Sequence, residues 1–150
     1  MSAGIVFKSE THVLMGYQPD KNMISGIGGK PIGHETPIET AFRETIEELF
    51  GIQPSKELLK VLVNNFGFKP EVKNSSYTMF IYTIEELLRF LCVVKSYSGS
   101  SPYYTNFPTS LDSLIFNRRT PLGVEVGHLC MVPIIHVPFH IDQRDMNVIG

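Results

Sequence analysis

Cysteine is scarce in this chain: only Cys92 and Cys130 carry thiols among 150 residues. Two thiols in the apolar contexts FLCVV and HLCMV are too few for a disulfide-built scaffold, and they are expected as buried free thiols of a reducing cytosol. An excess of either charge is also missing. Thirteen Lys+Arg stand against fifteen Asp+Glu, a formal net charge of −2. That argues against a broad electrostatic nucleic-acid binder, although the capped end of an RNA, where only terminal nucleotides enter a site, stays open as a partner. No apolar run reaches the roughly 18 residues of a membrane helix, and the N-terminus lacks a signal-peptide layout. The expectation is a soluble, cytoplasmic protein without a membrane partner. In that setting the glycosylation pattern at Asn74-Ser75-Ser76 has no consequence. Internal repeats and low-complexity tracts are absent as well. His128, His136 and His140 lack tight metal-ligand spacing, so no zinc site is expected. Length and a 43% hydrophobic content suit one domain over residues 1–150 with its own core.

Strand-like and helical runs alternate. Residues 4–8 and 12–17 are expected as strands around the polar turn Ser9-Glu10-Thr11, and residues 23–29 run into a glycine loop. Residues 58–68, with KVLVNNFGF, read as a β-rich run returning onto a sheet. Residues 77–83 (YTMFIYT) read as a strand from their β-branched and aromatic content. Residues 85–94 read as a short helix with Leu87, Leu88 and Leu91 on one side, and residues 129–137 as a late apolar strand. The alternation predicts an α/β fold with a mixed sheet between helical layers.

The most informative stretch is residues 28–51, GGKPIGHETPIETAFRETIEELFG. It sets Glu35, Glu44, Glu47 and Glu48 around Arg43. Carboxylates at that density repel unless a cation lies between them. Magnesium or manganese suits such hard oxygen donors. Thr36 as N-cap, Pro37 at the first helical position and Glu39 as capping-box partner start a helix, and Gly51 suits its end. At about 100° per residue, Ile38, Ala41, Phe42, Thr45 and Leu49 form a core stripe. Glu44, Glu47 and Glu48 share another face, and Arg43 is one turn before Glu47. The plain alternative is a solvated acidic face, but like charges at Glu44 and Glu48 would weaken a free helix slightly.

This segment resembles the Nudix box: glycine, five residues, glutamate, seven residues, then Arg-Glu-apolar-any-Glu-Glu-any-Gly-apolar. Gly29, Glu35, Arg43, Glu44, Glu47 and Glu48 match, within residues 29–52. Thr45 replaces an apolar residue, and one extra residue precedes Gly51, after the last glutamate. The resemblance implies an α/β/α sandwich and a Mg2+- or Mn2+-dependent pyrophosphohydrolase. It implies Glu44, Glu47, Glu48 and the Gly28 carbonyl as metal ligands, with Glu48 the most critical. Arg43 would orient Glu47, with Glu35 a nearby second carboxylate. The general base is expected outside the box, at Glu125, ahead of Glu85, Glu86 and Asp112; Glu35 or Glu48 are alternatives. His34 borders the loop and reads as structural.

Residues 96–124 look irregular, an insertion of a length often used for lids or linkers. Tyr97, Tyr103, Tyr104 and Phe107 can stack on a base there, and Arg118, Arg119 and Lys30 can contact phosphate. The competing reading is that these aromatics pack a satellite cluster or a homodimer contact. The expected substrates are nucleoside diphosphates joined to a second group: dinucleoside polyphosphates, FAD, ADP-ribose or an RNA 5′ cap. The alternatives are a nucleoside triphosphate pyrophosphohydrolase and a non-catalytic nucleotide-binding module.

Overall fold

The computed structural model describes residues 2–67 and 71–134. Strands β1 (Ser2–Lys8), β2 (His12–Gln18), β3 (Met23–Ser25) and β4 (Ile27–Gly29) come first, followed by helices α1 (Pro37–Phe50) and α2 (Lys56–Phe66). Then come β5 (Glu71–Lys73), β6 (Tyr77–Thr83), α3 (Ile84–Ser98), α4 (Leu111–Phe116) and β7 (His128–Pro133). The strands form one sheet in the order β3-β2-β1-β6-β5, with β4 also on β1 and β7 on β2. β1 runs parallel to β6 and antiparallel to β4, so the sheet is mixed and the fold is α/β.

Alternation along the strands separates two apolar clusters. Ala3, Ile5 and Phe7 of β1, Leu14 of β2 and Phe80 and Tyr82 of β6 point into the larger one. Val6, Val13, Met15, Tyr77 and Met79 point into the smaller one, on the other face. All four described helices join the larger cluster. Its centre is aromatic: Phe42, Phe66, Tyr82 and Phe90 pack ring against ring, and Phe50 stacks on Phe107 at 4.8 Å between centroids.

Four expectations need correction. Residues 58–66 are helical, not β. Ser55 caps α2 by accepting the Leu58 N–H, and Leu58, Leu59, Leu62 and Phe66 are buried at helical spacing. Periodicity and a cap outweigh the β-branched content; Phe68 is outside the described residues. Next, α3 is longer than residues 85–94 because Thr83 and Glu86 form a capping box and Gly99 ends the last turn. Its stripe is Leu87, Phe90, Leu91 and Val94, which leaves Leu88 39% exposed. Cys92 is exposed rather than buried, being off that stripe, and Cys130 is half-buried; both thiols are free. Residues 135–137 of the expected late strand, with His136 and His140, lie outside the described residues.

Residues 96–124, expected to be irregular, are partly helical and packed on the core. α3 continues to Ser98, α4 starts at a Ser110–Ser113 capping box, and Tyr104, Phe107 and Leu114 are buried in the main core. The packing alternative weighed for these aromatics therefore holds for Tyr104 and Phe107, while Tyr97 is 46% exposed.

Replacing Ser55 with Ala removes the α2 cap and is expected to lower unfolding free energy by about 1 kcal/mol. Denaturant titration reads this; an unchanged midpoint would show that the cap contributes nothing.

Candidate active site on the carboxylate face of α1

Helix α1 starts as its sequence dictates. The Thr36 hydroxyl accepts the Glu39 N–H and the Glu39 carboxylate accepts the Thr36 N–H, with Pro37 at the first helical position. The helix lies against β1 and β4. Its buried face includes the expected Ile38, Ala41, Phe42, Thr45 and Leu49, and extends to Ile46 and Phe50. Thr45 is accommodated there because its hydroxyl donates to the Ala41 carbonyl at 2.6 Å.

Arg43 is the hub of the other face. Its side chain is only 5% exposed. Nε donates to Glu35 Oε2 at 2.7 Å, and Nη1 donates to Glu44 Oε1 and Glu47 Oε2 at 3.0 Å each. Nη2 donates to the Lys30 carbonyl at 2.7 Å. Arg43 thus binds Glu35 and Glu44 as well as the expected Glu47, and pins the loop from β4. These bonds, against the opposing effect of burial, hold its guanidinium firmly charged. Gly29 admits this arrangement: a Cβ there would stand 2.4 Å from the Glu44 carboxyl carbon.

The carboxylates are not equivalent. Glu35 Oε1 accepts from the Ile32 N–H and the Thr40 hydroxyl, and Oε2 accepts from Arg43. Burial acts to raise its pKa, but those donors outweigh it and hold the carboxyl below its usual range. Glu44 is raised, chiefly by burial and further by Glu47 and Glu125, with Arg43 opposing. Glu48 is pushed well above the carboxylate range, first by burial, then by the charges of Glu125 and Glu44. The backbone of Gly28 opposes that rise. Glu48 Oε2 is buried and has no hydrogen-bond partner. Glu48 is thus the one box glutamate that Arg43 does not serve.

Glu125 is exposed on the loop before β7, close enough for its charge to act on Glu44 and Glu48. The weaker base candidates stand elsewhere. Glu85 and Glu86 open α3, and Asp112 is exposed in the first turn of α4. A cavity of about 840 Å³, lined by Lys8, Glu10, Ile81, Thr83, Glu85 and Ile134 among others, lies at the end of β1 and β6 away from Gly28, and shares no residue with the carboxylate cluster.

The substrate-contact expectations fare unevenly. Arg118 is 8% exposed, and Tyr104 is 5% exposed with its hydroxyl donating to the Leu114 carbonyl. Both are removed from substrate contact by burial. Tyr103 is half-buried, its ring against Gly51 and beneath the Arg118 guanidinium at 5.1 Å. Lys30 and Arg119 are exposed.

Sequence reasoning missed what the 96–124 segment does for α1. The last four carbonyls of a helix have no partner within it. Here the Gly51 N–H donates to Glu47 O, Arg118 Nη2 to Glu48 O, Arg118 Nη1 to Leu49 O and the Ser101 hydroxyl to Phe50 O. A signal existed: α1 has no basic residue in its last turn. Its final carbonyls therefore had to find remote donors.

The donor set suits a hard divalent cation. Glu44 and Glu47 each lend one oxygen to Arg43, and Glu48 holds an unpartnered buried oxygen. Among the described residues no three acidic, histidine or cysteine side chains already converge around one point, so Glu44, Glu47 and Glu48 would have to draw together around an ion, whose remaining positions water and phosphate commonly fill in the case of magnesium.

No family model matches the chain, and no curated protein sequence does. Among solved structures it is similar to a MutT NUDIX hydrolase from Burkholderia pseudomallei, with 11% identity and a TM-score of 0.45 over 99% of this chain and 93% of the other. It is also similar to a NUDIX-family hydrolase from Clostridium perfringens, with 15% identity and a TM-score of 0.46 over 99% of this chain and 91% of the other. At identities and superpositions of this order the likeness assigns no residue a role.

Proposed function

We propose that this protein is a divalent-metal-dependent pyrophosphohydrolase that cleaves the diphosphate linkage of nucleoside diphosphate derivatives. The observation that carries the reading is the buried, unpartnered Glu48 oxygen, subject to the charges of Glu44 and Glu125, on a face where Arg43 is bonded to Glu35, Glu44 and Glu47.

Glu44, Glu47 and Glu48 would hold Mg2+ or Mn2+. The Gly28 carbonyl is the further ligand. Gly28 pairs with Gly4 in an antiparallel ladder, and its backbone acts on the Glu48 carboxyl. Bound there, the cation would supply charge neutralisation at the diphosphate and a lowered pKa for bound water. The chain's own residues do the rest. Arg43 fixes Glu44 and Glu47, and Glu35 fixes Arg43. Glu35 is poorly suited to take a proton, because both its oxygens already accept hydrogen bonds. Glu125, exposed and within electrostatic reach of Glu48, is the proposed general base. Lys30 and Arg119 remain proposed phosphate contacts.

Dinucleoside polyphosphates, FAD, ADP-ribose and capped RNA are the proposed substrate set. They belong in one assay panel with the nucleoside triphosphates, each with magnesium and with manganese. Glu48→Gln is expected to cost more than the roughly 100-fold typical of losing an outer-shell metal partner. Near-normal turnover in that variant would sink the assignment. Glu125→Gln should lower kcat by about 10²- to 10⁴-fold with little change in Mn2+ affinity; an unaltered kcat removes it from the chemistry.

The raised Glu48 and Glu44 groups also predict a stability profile. A carboxyl with a raised folded-state pKa binds more protons folded than unfolded, so stability falls as pH climbs from the ordinary carboxylate range through the folded value. Thermal unfolding of EDTA-treated protein between about pH 5 and 8 should show this decline. Glu48→Gln should make it shallower, and Mn2+ should reverse it. Identical slopes in the two proteins would contradict the burial of a charged Glu48.

A further inference from the structure

Arg118 was expected at a phosphate, yet all its donors are directed into the protein. Nη1 and Nη2 donate to the Leu49 and Glu48 carbonyls at the C-terminal turn of α1. Nη2 also donates to Val126 O at 2.9 Å and Nε to Gly127 O at 3.3 Å, the two residues after Glu125. Nη1 reaches the Tyr104 hydroxyl at 3.4 Å, and the guanidinium lies over the Tyr103 ring. One buried side chain therefore joins the main chain of Glu48 to the main chain that follows Glu125. Two further bonds hold that loop among the described residues: Thr120 Oγ1 donates to Gly127 O, and the Gly127 N–H donates to Tyr17 O.

We propose that Arg118 is a positioning residue that sets Glu125 in register with Glu48 by clamping the last turn of α1 to the loop before β7. The assignment rests on the pyrophosphohydrolase reading for its catalytic consequence, not for the clamp itself. Only a guanidinium suits the task. Its planar fork carries five donors in fixed directions, enough for four carbonyls on two segments, whereas an ammonium offers three donors from one atom. Its charge also lies favourably at the negative end of the α1 dipole.

The test is Arg118→Lys, which keeps the charge and most of the apolar stem, combined in a cycle with Glu125→Gln. Arg118→Lys should lower kcat by about 10- to 100-fold, the range for losing a partner that orients an active-site group, with KM little changed. Glu125→Gln placed on Arg118→Lys should cost distinctly less than it does in the native protein, because a mispositioned base has less to lose. Effects that simply multiply, or a native kcat in Arg118→Lys, would overturn the proposal. Hydrogen exchange gives a readout free of turnover: amides of residues 47–51 and 126–129 should lose protection together while α2 and α3 keep theirs. Protection unchanged in both segments, or lost across the whole protein, would also overturn it. If the native protein hydrolyses nothing in the panel, the functional reading fails, and the exchange result still decides whether the clamp exists.

Discussion

Everything at this site follows from one constraint: mutually repelling carboxylates are held together by a single guanidinium. Arg43 bonds three of them and a backbone carbonyl, which engages all three of its nitrogens. Glu48 and Glu125 are left outside that arrangement. Glu48 bears both burial and the charges of its neighbours, and its Oε2 is buried without a hydrogen-bond partner. Burying a carboxyl group among like charges costs stability in the isolated protein. Native structures tolerate such local conflict chiefly at functional sites.

A helix under that load has to be anchored at both ends, and α1 is. Its N-terminus carries a reciprocal capping box with proline at the first position. Its C-terminus has every terminal carbonyl occupied, two of them by Arg118 and one by Ser101. Gly51 adopts the left-handed conformation, and its missing Cβ leaves room for the Tyr103 ring. The 96–124 segment is thus best understood as part of the helix's support, with Tyr104 and Phe107 anchoring it in the core.

This explains which parts of the site were legible from the sequence. The caps, the core stripe and the shared face of Glu44, Glu47 and Glu48 depend on spacing within one helix, and spacing is written in the chain. The strands at residues 77–83 and 12–17 were legible for the same reason. Residues 58–66 were misread because Val61, Val63 and Phe66 suit a strand in isolation, while the decisive facts are the Ser55 cap and the leucine spacing. Arg118 was illegible for a different reason. Its partners at Glu48 and Leu49 are remote in sequence, and an Arg-Arg pair beside tyrosines offers no local mark of which arginine turns inward. Only the unmet carbonyls at the end of α1 pointed towards it.

The environments of Glu35 and Glu48 then divide the work between carboxyl groups of identical chemistry. Glu35 is saturated with donors and held ionised, so it serves as an electrostatic brace for Arg43. Glu48 is buried among like charges with an unmet oxygen, so it gains most from an incoming cation. Groups whose environments push their protonation apart generally take different roles. Glu125 differs from both: it is exposed, comes from another part of the chain, and is fixed relative to Glu48 through backbone contacts rather than through its own carboxylate. A carboxylate held in that way keeps its side chain exposed while its position is determined by the fold.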